Sequence, residues 1–289
     1  MRFLFALVLL AASGCASTPA ADDTRPAHVP LTEWFASTGP NAPRLAAHRS
    51  GPAPGYPENA LTTLERSARL GVLLIEVDVR ASADDTLLLM HDRTLDRTTT
   101  GSGNVSDTRW ANIAGLRLID NDGDTTDAVT PTLRQALRWA RDRAVLQLDL
   151  KSGVGFDDIL RVVRQEAMED QVLTIVYEPD SLGAYLRRAP NMAYSVPART
   201  PDEVRATLAQ PGADASLMIG FVGVGPSYDA DAVALLREAG ILAIGGYFAP
   251  IARPDTVVVR FERLDIVSID DLPGGIEGLR WARAIGVIR

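Results

Sequence analysis

The chain has 289 residues, of which 46% are hydrophobic and 23% are charged, and its formal net charge is −8. This composition excludes a disordered chain, and the acidic balance argues against bulk binding of nucleic acid, so no nucleic-acid partner is expected. The single cysteine, Cys15, excludes a disulfide framework within the chain and any cysteine-rich metal site.

The first residues have the pattern of a targeting segment. An apolar run from Phe3 to Ala12 follows a positive start, and it is too short to span a bilayer, which takes about 20 residues. The segment that ends at Cys15 resembles the lipobox of bacterial lipoproteins, whose cysteine is lipidated and becomes the mature N-terminus. We predict a lipoprotein-type signal peptide over 1–14, lipidation at Cys15 and a flexible tether over 15–40, with an ordinary cleaved signal as the alternative.

The residue after the cysteine bears on the destination of the protein. It is Ala16 rather than Asp, so the resemblance to lipoproteins implies an outer-membrane lipoprotein that faces the periplasm. The alternative is a periplasmic or secreted protein. The expected membrane contact is the N-terminal lipid anchor, and no obligate protein partner is evident.

The rest of the chain, 41–289, alternates short apolar runs with helical patterns. This alternation predicts right-handed crossovers and a parallel sheet. The length fits a (β/α)8 TIM barrel, with a doubly wound open sheet as the alternative. Nine strand candidates compete for eight positions, so one of them is extra: Leu45–His48, Leu73–Val79, Thr86–His91, Val145–Leu150, Val172–Tyr177, Met192–Val196, Leu217–Val222, Ile241–Gly246 and Asp265–Ile269.

One connection is unusually long. Residues 93–129 show no clear periodicity, and they are rich in Thr, Gly, Asp and Asn. Connections of this length in a compact domain are usually functional or form a small insertion. We expect a small insertion after the third strand, and we expect it to leave the active-site face of the barrel.

Two strands carry carboxylates on one face. Because side chains alternate along a strand, Glu76 and Asp78 share a face, and so do Asp149 and Lys151. In a barrel these faces point inward, where three carboxylates would repel one another unless a cation joins them. Oxygen ligands suit a hard ion, Ca²⁺ or Mg²⁺. The alternative is structural ion pairing of Asp149 and Lys151 with Arg80.

Two histidines follow predicted strands. His48 ends the first strand and His91 ends the third, and each has a charged neighbour. Imidazole titrates near neutral pH, so a facing pair of histidines can exchange acid and base roles. Arg49 offers the bidentate fork that suits phosphate. A buried histidine at the end of a strand is the alternative for either residue alone.

These residues also occur in recognisable motifs. The segments Ala47–Arg49 and Pro57–Asn59 resemble an HRG…PEN opening, and Ile75–Val79 resembles the second motif of the same family. The stretch from His91 to Gly103 is similar to HD..L.RTT.G.G, and Asp149–Lys151 is similar to an E-x-K strand. Together they resemble the glycerophosphodiester phosphodiesterase family over about residues 44 to 273.

The resemblance implies a TIM barrel phosphodiesterase with a small insertion after the HD motif. It implies one divalent cation, Ca²⁺ or Mg²⁺, held by Glu76, Asp78 and Asp149. It also implies general acid and base roles for His48 and His91. Arg49 and Lys151 would contact the phosphate. The expected partner is a small phosphodiester substrate.

Three positions depart from the family pattern. Ser50 replaces the glycine of HRG, and Asp149 is one methylene shorter than the family's glutamate. A late WT motif is missing, and the corresponding stretch is Ile244–Phe248. That wall contacts substrate in the family, so the alcohol that is recognised stays open.

The predicted function is metal-dependent hydrolysis of glycerophosphodiesters to glycerol phosphate and an alcohol. The first alternative is a lysophospholipase D-like enzyme that acts on acylated lipids. The second is a non-catalytic barrel that binds lipid head groups. Direct attack by water and attack by a substrate hydroxyl through a cyclic phosphate are both compatible with the residues.

Overall fold

A computed structural model describes residues 44–225, 227–251, 253, 255 and 263–286 of the chain. The predicted signal peptide, the predicted tether, Cys15 and His28 lie outside these residues. Within the described ranges, no helix has the length and the apolar character that crossing a membrane requires.

Eight parallel strands close into a barrel. The described strands are β1 Arg44–Ala47, β2 Leu74–Ala81, β3 Leu87–Leu89, β4 Arg117–Ile119, β5 Thr125–Val129, β6 Val145–Leu150, β7 Val172–Ile175, β8 Ala193–Pro197, β9 Met218–Val224, β10 Leu242–Tyr247 and β11 Ile266–Ile269. The barrel order is β1-β2-β6-β7-β8-β9-β10-β11, and β11 pairs with β1 to close it. The predicted (β/α)8 barrel is therefore confirmed, and the open sheet is excluded.

Helices connect these strands on the outside of the barrel. The described α-helices are α1 Leu61–Arg69, α2 Trp110–Ile113, α3 Leu133–Ala140, α4 Phe156–Gln165, α5 Pro179–Arg188, α6 Pro201–Leu208, α7 Ala230–Glu238 and α8 Leu272–Ala284. The start of α3 is a capping box between Thr132 and Gln135. The sequence did not predict α8, because Gly274, Gly275 and Gly278 weaken its helical pattern.

The ninth strand candidate is β3, and it is not part of the barrel wall. β3 runs antiparallel to β2, with Leu89 opposite Val79 and Leu87 opposite Ala81. The expectation that His91 leaves the C-terminal end of a barrel strand is therefore wrong. Parallel and antiparallel strands share the same alternating apolar pattern, so the sequence does not reveal the direction of a short strand.

The insertion that follows β3 has its own small core. Strands β4 and β5 form a separate two-stranded antiparallel sheet, and α2 precedes them. A cluster of buried side chains holds this part together, and it contains Leu88, Met90, Leu95, Val105 and Ile113. The insertion is thus a folded unit beside β2.

The barrel strands bury both faces. Ile75 and Val77 of β2 and Leu146 of β6 pack outward in the main core, between the strands and the helices. One inward side chain from each barrel strand fills the barrel interior in a second cluster: Ala46, Leu74, Val145, Leu173, Ala193, Ile219, Ile244 and Ile266. Because side chains alternate, the next inward positions along β2 and β6 are Glu76 and Gln147, followed by Asp78 and Asp149, as the sequence predicts.

Candidate active site

Three carboxylates meet inside the barrel. Asp78 of β2 and Asp149 of β6 are direct register partners, and Glu76 lies one inward position earlier on β2. One oxygen from each of the three carboxylates lies within 4.8 Å of the others. All three residues are buried, with exposed fractions of 5% for Glu76, 1% for Asp78 and 7% for Asp149. The three predicted metal ligands therefore lie close enough together to share one ion.

The charge state of this cluster reflects its crowding. Burial raises the pKa of Glu76 well above its ordinary value, and the negative charges of Asp78 and Asp149 raise the pKa further. A hydrogen bond from the backbone N–H of Arg49 to Glu76 Oε2, 2.6 Å long, opposes this shift. The cluster is therefore short of positive charge.

Lys151 supplies part of that positive charge. Its Nζ lies 2.6 Å from Asp78 Oδ1 and 2.5 Å from Asp149 Oδ2. Burial by itself lowers the pKa of Lys151, but the charges of the two aspartates outweigh it and raise the pKa overall. The Arg49 guanidinium adds a second positive charge, with its Nε 3.9 Å from Asp78 Oδ2. Two cations face three carboxylates, so a bound cation would balance the charge that remains.

The alternative ion pairing is present only in part. Asp149 and Lys151 do pair, whereas the Arg80 guanidinium donates two hydrogen bonds to the carbonyl oxygen of His91, at 3.0 and 2.6 Å. Arg80 thus holds the backbone of the His91 segment against β2.

Two neutral side chains orient the carboxylates. Asn59 Nδ2 donates to Asp78 Oδ2 at 2.7 Å, and the backbone N–H of Asp78 donates to Asn59 Oδ1 at 3.0 Å. The Tyr177 hydroxyl donates to Asp149 Oδ1 at 2.6 Å. Burial raises the pKa of Tyr177, and the charge of Asp149 adds to the effect, so the phenol stays a donor. Fixed partners of this kind orient ligand oxygens in metal sites.

His48 lies at the rim of the barrel, directly after β1. Its Nδ1 is 2.8 Å from Oδ1 of Asp270, which follows β11. The Phe248 ring stacks on the imidazole, with 3.8 Å between centroids and 18° between planes. His48 is therefore held by a carboxylate on one edge and by an aromatic ring on one face.

A carboxylate also holds His91. This histidine follows β3, and its Nδ1 is 2.8 Å from Oδ1 of the adjacent Asp92. Hydrogen bonds from Arg97 lower the pKa of Asp92 well below its ordinary range, and the bond from His91 adds to this effect. Asp92 is thus an anion that can accept a hydrogen bond from a protonated Nδ1 of His91.

Arg97 links His91 to the segment between β1 and α1. Its guanidinium donates to Asp92 Oδ2 at 2.6 Å and to both oxygens of Glu58, at 2.8 and 3.0 Å. Arg49 Nη1 lies 3.4 Å from Glu58 Oε2 and so joins the same network. Glu58, His91 and Asp92 also lie close enough together to hold an ion, but Arg97 already pairs with both of these carboxylates.

A cavity of about 270 Å³ opens beside these groups. His48, Glu76 and Asp149 lie on one side of it, and apolar side chains such as Phe221 and Phe248 form much of the remaining wall. The stretch where the family's WT motif is missing therefore still lines the cavity, through Phe248. A side chain at Gly246 would meet the Phe248 ring, because a Cβ there would lie 2.6 Å from Phe248 Cζ.

Sequence reasoning left several of these residues without a role. Asp270 follows β11, and Glu58, Asn59, Asp92 and Arg97 belong to the motifs that resemble the family's. The partners of Asp270, Glu58 and Asn59 come from distant segments, so the sequence carried no sign of them. Asp92 pairs with His91 and Arg97 within one motif, and this pairing is local. Tyr177 could have been found from the sequence, because it lies two and four residues after Ile175 and Leu173, the inward positions of β7.

The chain was then compared with known proteins. The sequence profile of the glycerophosphoryl diester phosphodiesterase family matches residues 48–254. A glycerophosphodiester phosphodiesterase of Caldanaerobacter subterraneus subsp. tengcongensis is 29% identical over 155 residues, which cover 51% of this chain and 63% of that protein. The chain thus spans somewhat less than two thirds of the length of this curated relative.

Solved structures share the fold. A glycerophosphoryl diester phosphodiesterase from Parabacteroides distasonis superposes with a TM-score of 0.78 at 25% identity, over 89% of this chain and 93% of that one. A phosphodiesterase of Oleispira antarctica, solved in complex with its product sn-glycerol-3-phosphate, has a TM-score of 0.64 at 23% identity, over 83% of this chain and 97% of that one. Profile, relative and fold agree with the motifs and with the geometry of the barrel mouth, and the chain belongs to the glycerophosphoryl diester phosphodiesterase family.

Proposed function

We propose that this protein is a metal-dependent phosphoric diester hydrolase that cleaves glycerophosphodiesters to glycerol phosphate and an alcohol. One observation carries the proposal. Three buried carboxylates meet inside the barrel, and His48 lines the same cavity with its Nδ1 on Asp270. His91, whose Nδ1 lies on Asp92, is joined to Arg49 beside the cluster through Arg97 and Glu58. Family membership and the product named for the Oleispira protein support the same reaction class.

The carboxylate cluster fits a divalent cation. Its donors are all oxygens, which suit Ca²⁺ or Mg²⁺. The two cations beside it, Lys151 and Arg49, leave the three carboxylates incompletely balanced. Glu76, Asp78 and Asp149 would hold the ion. When bound, such an ion polarises phosphoryl oxygens and lowers the pKa of a bound hydroxyl or water.

Two cationic side chains are suited to the phosphate. Lys151 is 16% exposed in its side chain and adjoins the carboxylates, so it can turn from them to a phosphate oxygen. Arg49 has a side chain that is 23% exposed, and its backbone N–H is already committed to Glu76. Its guanidinium can present the planar fork that phosphate accepts. Both would hold the diester over the cluster.

The histidines would move the protons. Because Nδ1 of His48 faces Asp270 and Nδ1 of His91 faces Asp92, Nε2 is the nitrogen of each ring that exchanges a proton with substrate. One histidine deprotonates the nucleophile, and the other protonates the leaving alkoxide. Each aspartate holds its ring in the required tautomer and stabilises the protonated form.

The first experiment tests the reaction class and the ion. Glycerophosphocholine turnover is measured after EDTA treatment, and then with Ca²⁺ or Mg²⁺ restored. We expect loss and recovery of activity. Turnover that persists in EDTA would refute the dependence on a metal, and no turnover of any glycerophosphodiester would refute the reaction class.

The second experiment tests the two histidines. We expect His48→Ala and His91→Ala to lose at least about 100-fold in kcat with the fold retained, and His28→Ala to serve as a matched control without loss. A glycerophosphodiester of p-nitrophenol has a leaving group that departs without protonation. A variant that lacks only the general acid should therefore recover activity on this substrate, and this recovery identifies which histidine is the acid. Wild-type rates in both site variants would refute the assignment. Phosphorus NMR of the reaction would show whether a cyclic phosphate forms first.

We further propose that the protein is exported and anchored through a lipid on Cys15. Support comes from the apolar run, the small residues before Cys15 and the polar segment after it. The test is metabolic labelling with a palmitate analogue, followed by membrane fractionation. Label on the wild type and none on Cys15→Ser is the expected result, and an unlabelled wild type would refute the anchor.

A further inference from the structure

The end of the barrel opposite the cavity carries a ring of arginines. All barrel strands are parallel, so the helices around them end at the amino ends of the strands, and we name this end the base of the barrel. Each of the seven described helices around the barrel, α1 and α3 to α8, has an exposed arginine in its last turn. These residues are Arg69, Arg138, Arg164, Arg188, Arg205, Arg237 and Arg283.

Helix dipoles account for part of this ring, because a cation is stabilised at the C-terminal end of a helix. The region before β6 has more positive charge than one helix dipole explains. Arg134, Arg138 and Arg141 all lie within ion-pair distance of a single buried carboxylate, that of Glu166. Arg143 follows them and donates a hydrogen bond to a backbone carbonyl oxygen. The base therefore carries an excess of positive charge in this region.

Carboxylates concentrate at the other end of the barrel. The first turns of α4 to α7 contain these acidic residues: Asp157, Asp158, Asp180, Asp202, Glu203 and Asp231. At the base, the exposed carboxylates among the described residues are those of Asp142, Asp170, Asp214 and Glu238, and the arginines of the ring outnumber them. The formal net charge of −8 is thus unevenly distributed, with a basic base and an acidic mouth.

Large apolar side chains are also exposed at the base. Leu70 and Ile285 directly follow α1 and α8, and they are 40% and 50% exposed. Trp281 in the last turn of α8 is 40% exposed, and Leu208 at the end of α6 is 39% exposed. Helix dipoles do not explain exposed apolar groups. Tryptophan and aliphatic side chains beside arginines are typical of protein surfaces that lie on a lipid bilayer.

The chain also enters the barrel at the base. β1 begins at Arg44, between β2 and β11, and these strands lead to the neighbourhood of α1 and α8. Twenty-eight residues separate Cys15 from Arg44. A chain of that length reaches at most about 90–100 Å, so a lipid on Cys15 would permit either end of the barrel to face the membrane. The charge and the apolar groups of the base decide between the two orientations.

We propose that the base of the barrel, around α1 and α8, docks on an anionic lipid surface. The arginines of the ring attract the lipid phosphates, and Trp281, Ile285 and Leu70 enter the interface. The cavity lies at the opposite end of the strands, so docking leaves the mouth in the aqueous phase. This orientation favours diesters dissolved in water over acylated lipids of the same bilayer. The inference goes beyond the proposed reaction and depends on neither the metal nor the histidines.

Tryptophan quenching tests which end of the barrel meets the lipid. The full chain is reconstituted with vesicles of phosphatidylglycerol and brominated phosphatidylcholine, whose bromine quenches tryptophan in the interface. We expect Trp281→Phe to remove part of the quenched fluorescence and the matched control Trp110→Phe to remove none. Trp110 lies at the mouth end, where its backbone N–H donates to Asp84 beyond β2 at 2.8 Å. Trp34 lies outside the described residues and is present in every variant.

A pair of arginine variants tests the charge. Arg283→Gln should shift the equilibrium from docked to undocked protein by about fivefold on the anionic vesicles, since one arginine near an anionic surface contributes about that factor. Arg109→Gln is the matched control, because Arg109 lies beside Asp84 at the mouth end with a side chain that is 75% exposed. It should dock as wild type does. On vesicles without phosphatidylglycerol, both variants should behave like wild type.

Three outcomes overturn the proposal. If Trp110→Phe rather than Trp281→Phe removes quenched fluorescence, the mouth faces the lipid. If wild type is quenched equally with and without phosphatidylglycerol, the arginines attract no anionic lipid. If Trp281 is not quenched at all, the base is left for a protein partner. The EDTA and histidine experiments judge the reaction separately, and an enzyme that fails them can still dock. If Cys15 carries no lipid, the protein is mixed with the vesicles and the same comparisons apply.

Discussion

The turn after His48 contains a residue whose replacement should stabilise the protein. Ser50 stands where the family has glycine, and its φ is 72°, in the left-handed region that favours glycine. Its side chain is fully buried, and its Oγ has no hydrogen-bond partner among the described residues. We predict that Ser50→Gly increases the free energy of unfolding.

The magnitude follows from four contributions. The left-handed backbone costs a residue with a Cβ about 1–2 kcal/mol, and the unpaired hydroxyl costs about 1–3 kcal/mol. Two effects of the substitution lower the stability. Glycine gives the unfolded chain more conformational freedom, which costs about 0.5–1 kcal/mol. The buried methylene of Ser50 is lost, which removes about 0.8 kcal/mol of hydrophobic stabilisation. The net gain lies between about 0.2 and 3.7 kcal/mol, with a midpoint of about 2 kcal/mol. At about 2–4 °C per kcal/mol in a domain of this size, the midpoint raises Tm by about 4–8 °C.

Calorimetry and urea unfolding measure this effect. Gly51→Ala is the control, because it should change the stability in the opposite direction. Gly51 has a φ of 78°, and a Cβ there would lie 2.5 Å from Leu272 Cδ1 and 2.8 Å from Ser67 Oγ. That variant should be less stable than wild type. A Ser50→Gly protein that unfolds at lower temperature or lower urea than wild type would refute the reasoning.

Three further predictions concern the site. Asp270→Asn should lower kcat by about 10²–10⁴-fold with little change in Tm, because Asp270 holds Nδ1 of His48. Asp271→Ala should lower Tm instead, since the Asp271 side chain caps α8. Steady-state kinetics and calorimetry separate the two variants, and wild-type kcat in Asp270→Asn would contradict the first prediction. Lys151→Arg should lower kcat/KM at least about tenfold, because a guanidinium is too large for the space between the two aspartates, and unchanged turnover would make this lysine incidental. Arg97→Met should lower Tm at pH 7: Arg97 depresses the folded pKa of Asp92 below the ordinary 3.8, so this stabilisation is present above that value and lost as the pH falls through the folded pKa. The Tm difference from wild type should therefore shrink below about pH 4, and a difference that is constant with pH would contradict the linkage.

The inward carboxylates of β2 and β6 could be predicted from sequence because alternation along a strand is local. Glu76 and Asp78 are two residues apart, so they share a face in any strand that contains them. The capping box at Thr132 is local in the same way, since both of its partners lie within three residues of each other.

The direction of β3 was not a local property, although the position of the insertion after it was predicted from the sequence. The run that contains β3 has the same composition as a barrel strand, and only its pairing with β2 shows that it runs antiparallel. The consequence is that a hairpin and Arg80 hold His91 beside β2, rather than the end of a parallel strand.

The sequence by itself determined which chemistry this protein can carry, and only the tertiary structure decided how it is arranged. Motif residues and strand parity identified Glu76, Asp78, Asp149 and the two histidines, because both signals depend on neighbours along the chain. The contact of His48 with Asp270 joins residues 222 positions apart. The lining of the cavity draws Gln147, Ser195 and Ser268 from three different strands. Such contacts depend on the closure of the barrel and on register between distant strands, which no local pattern of side chains encodes.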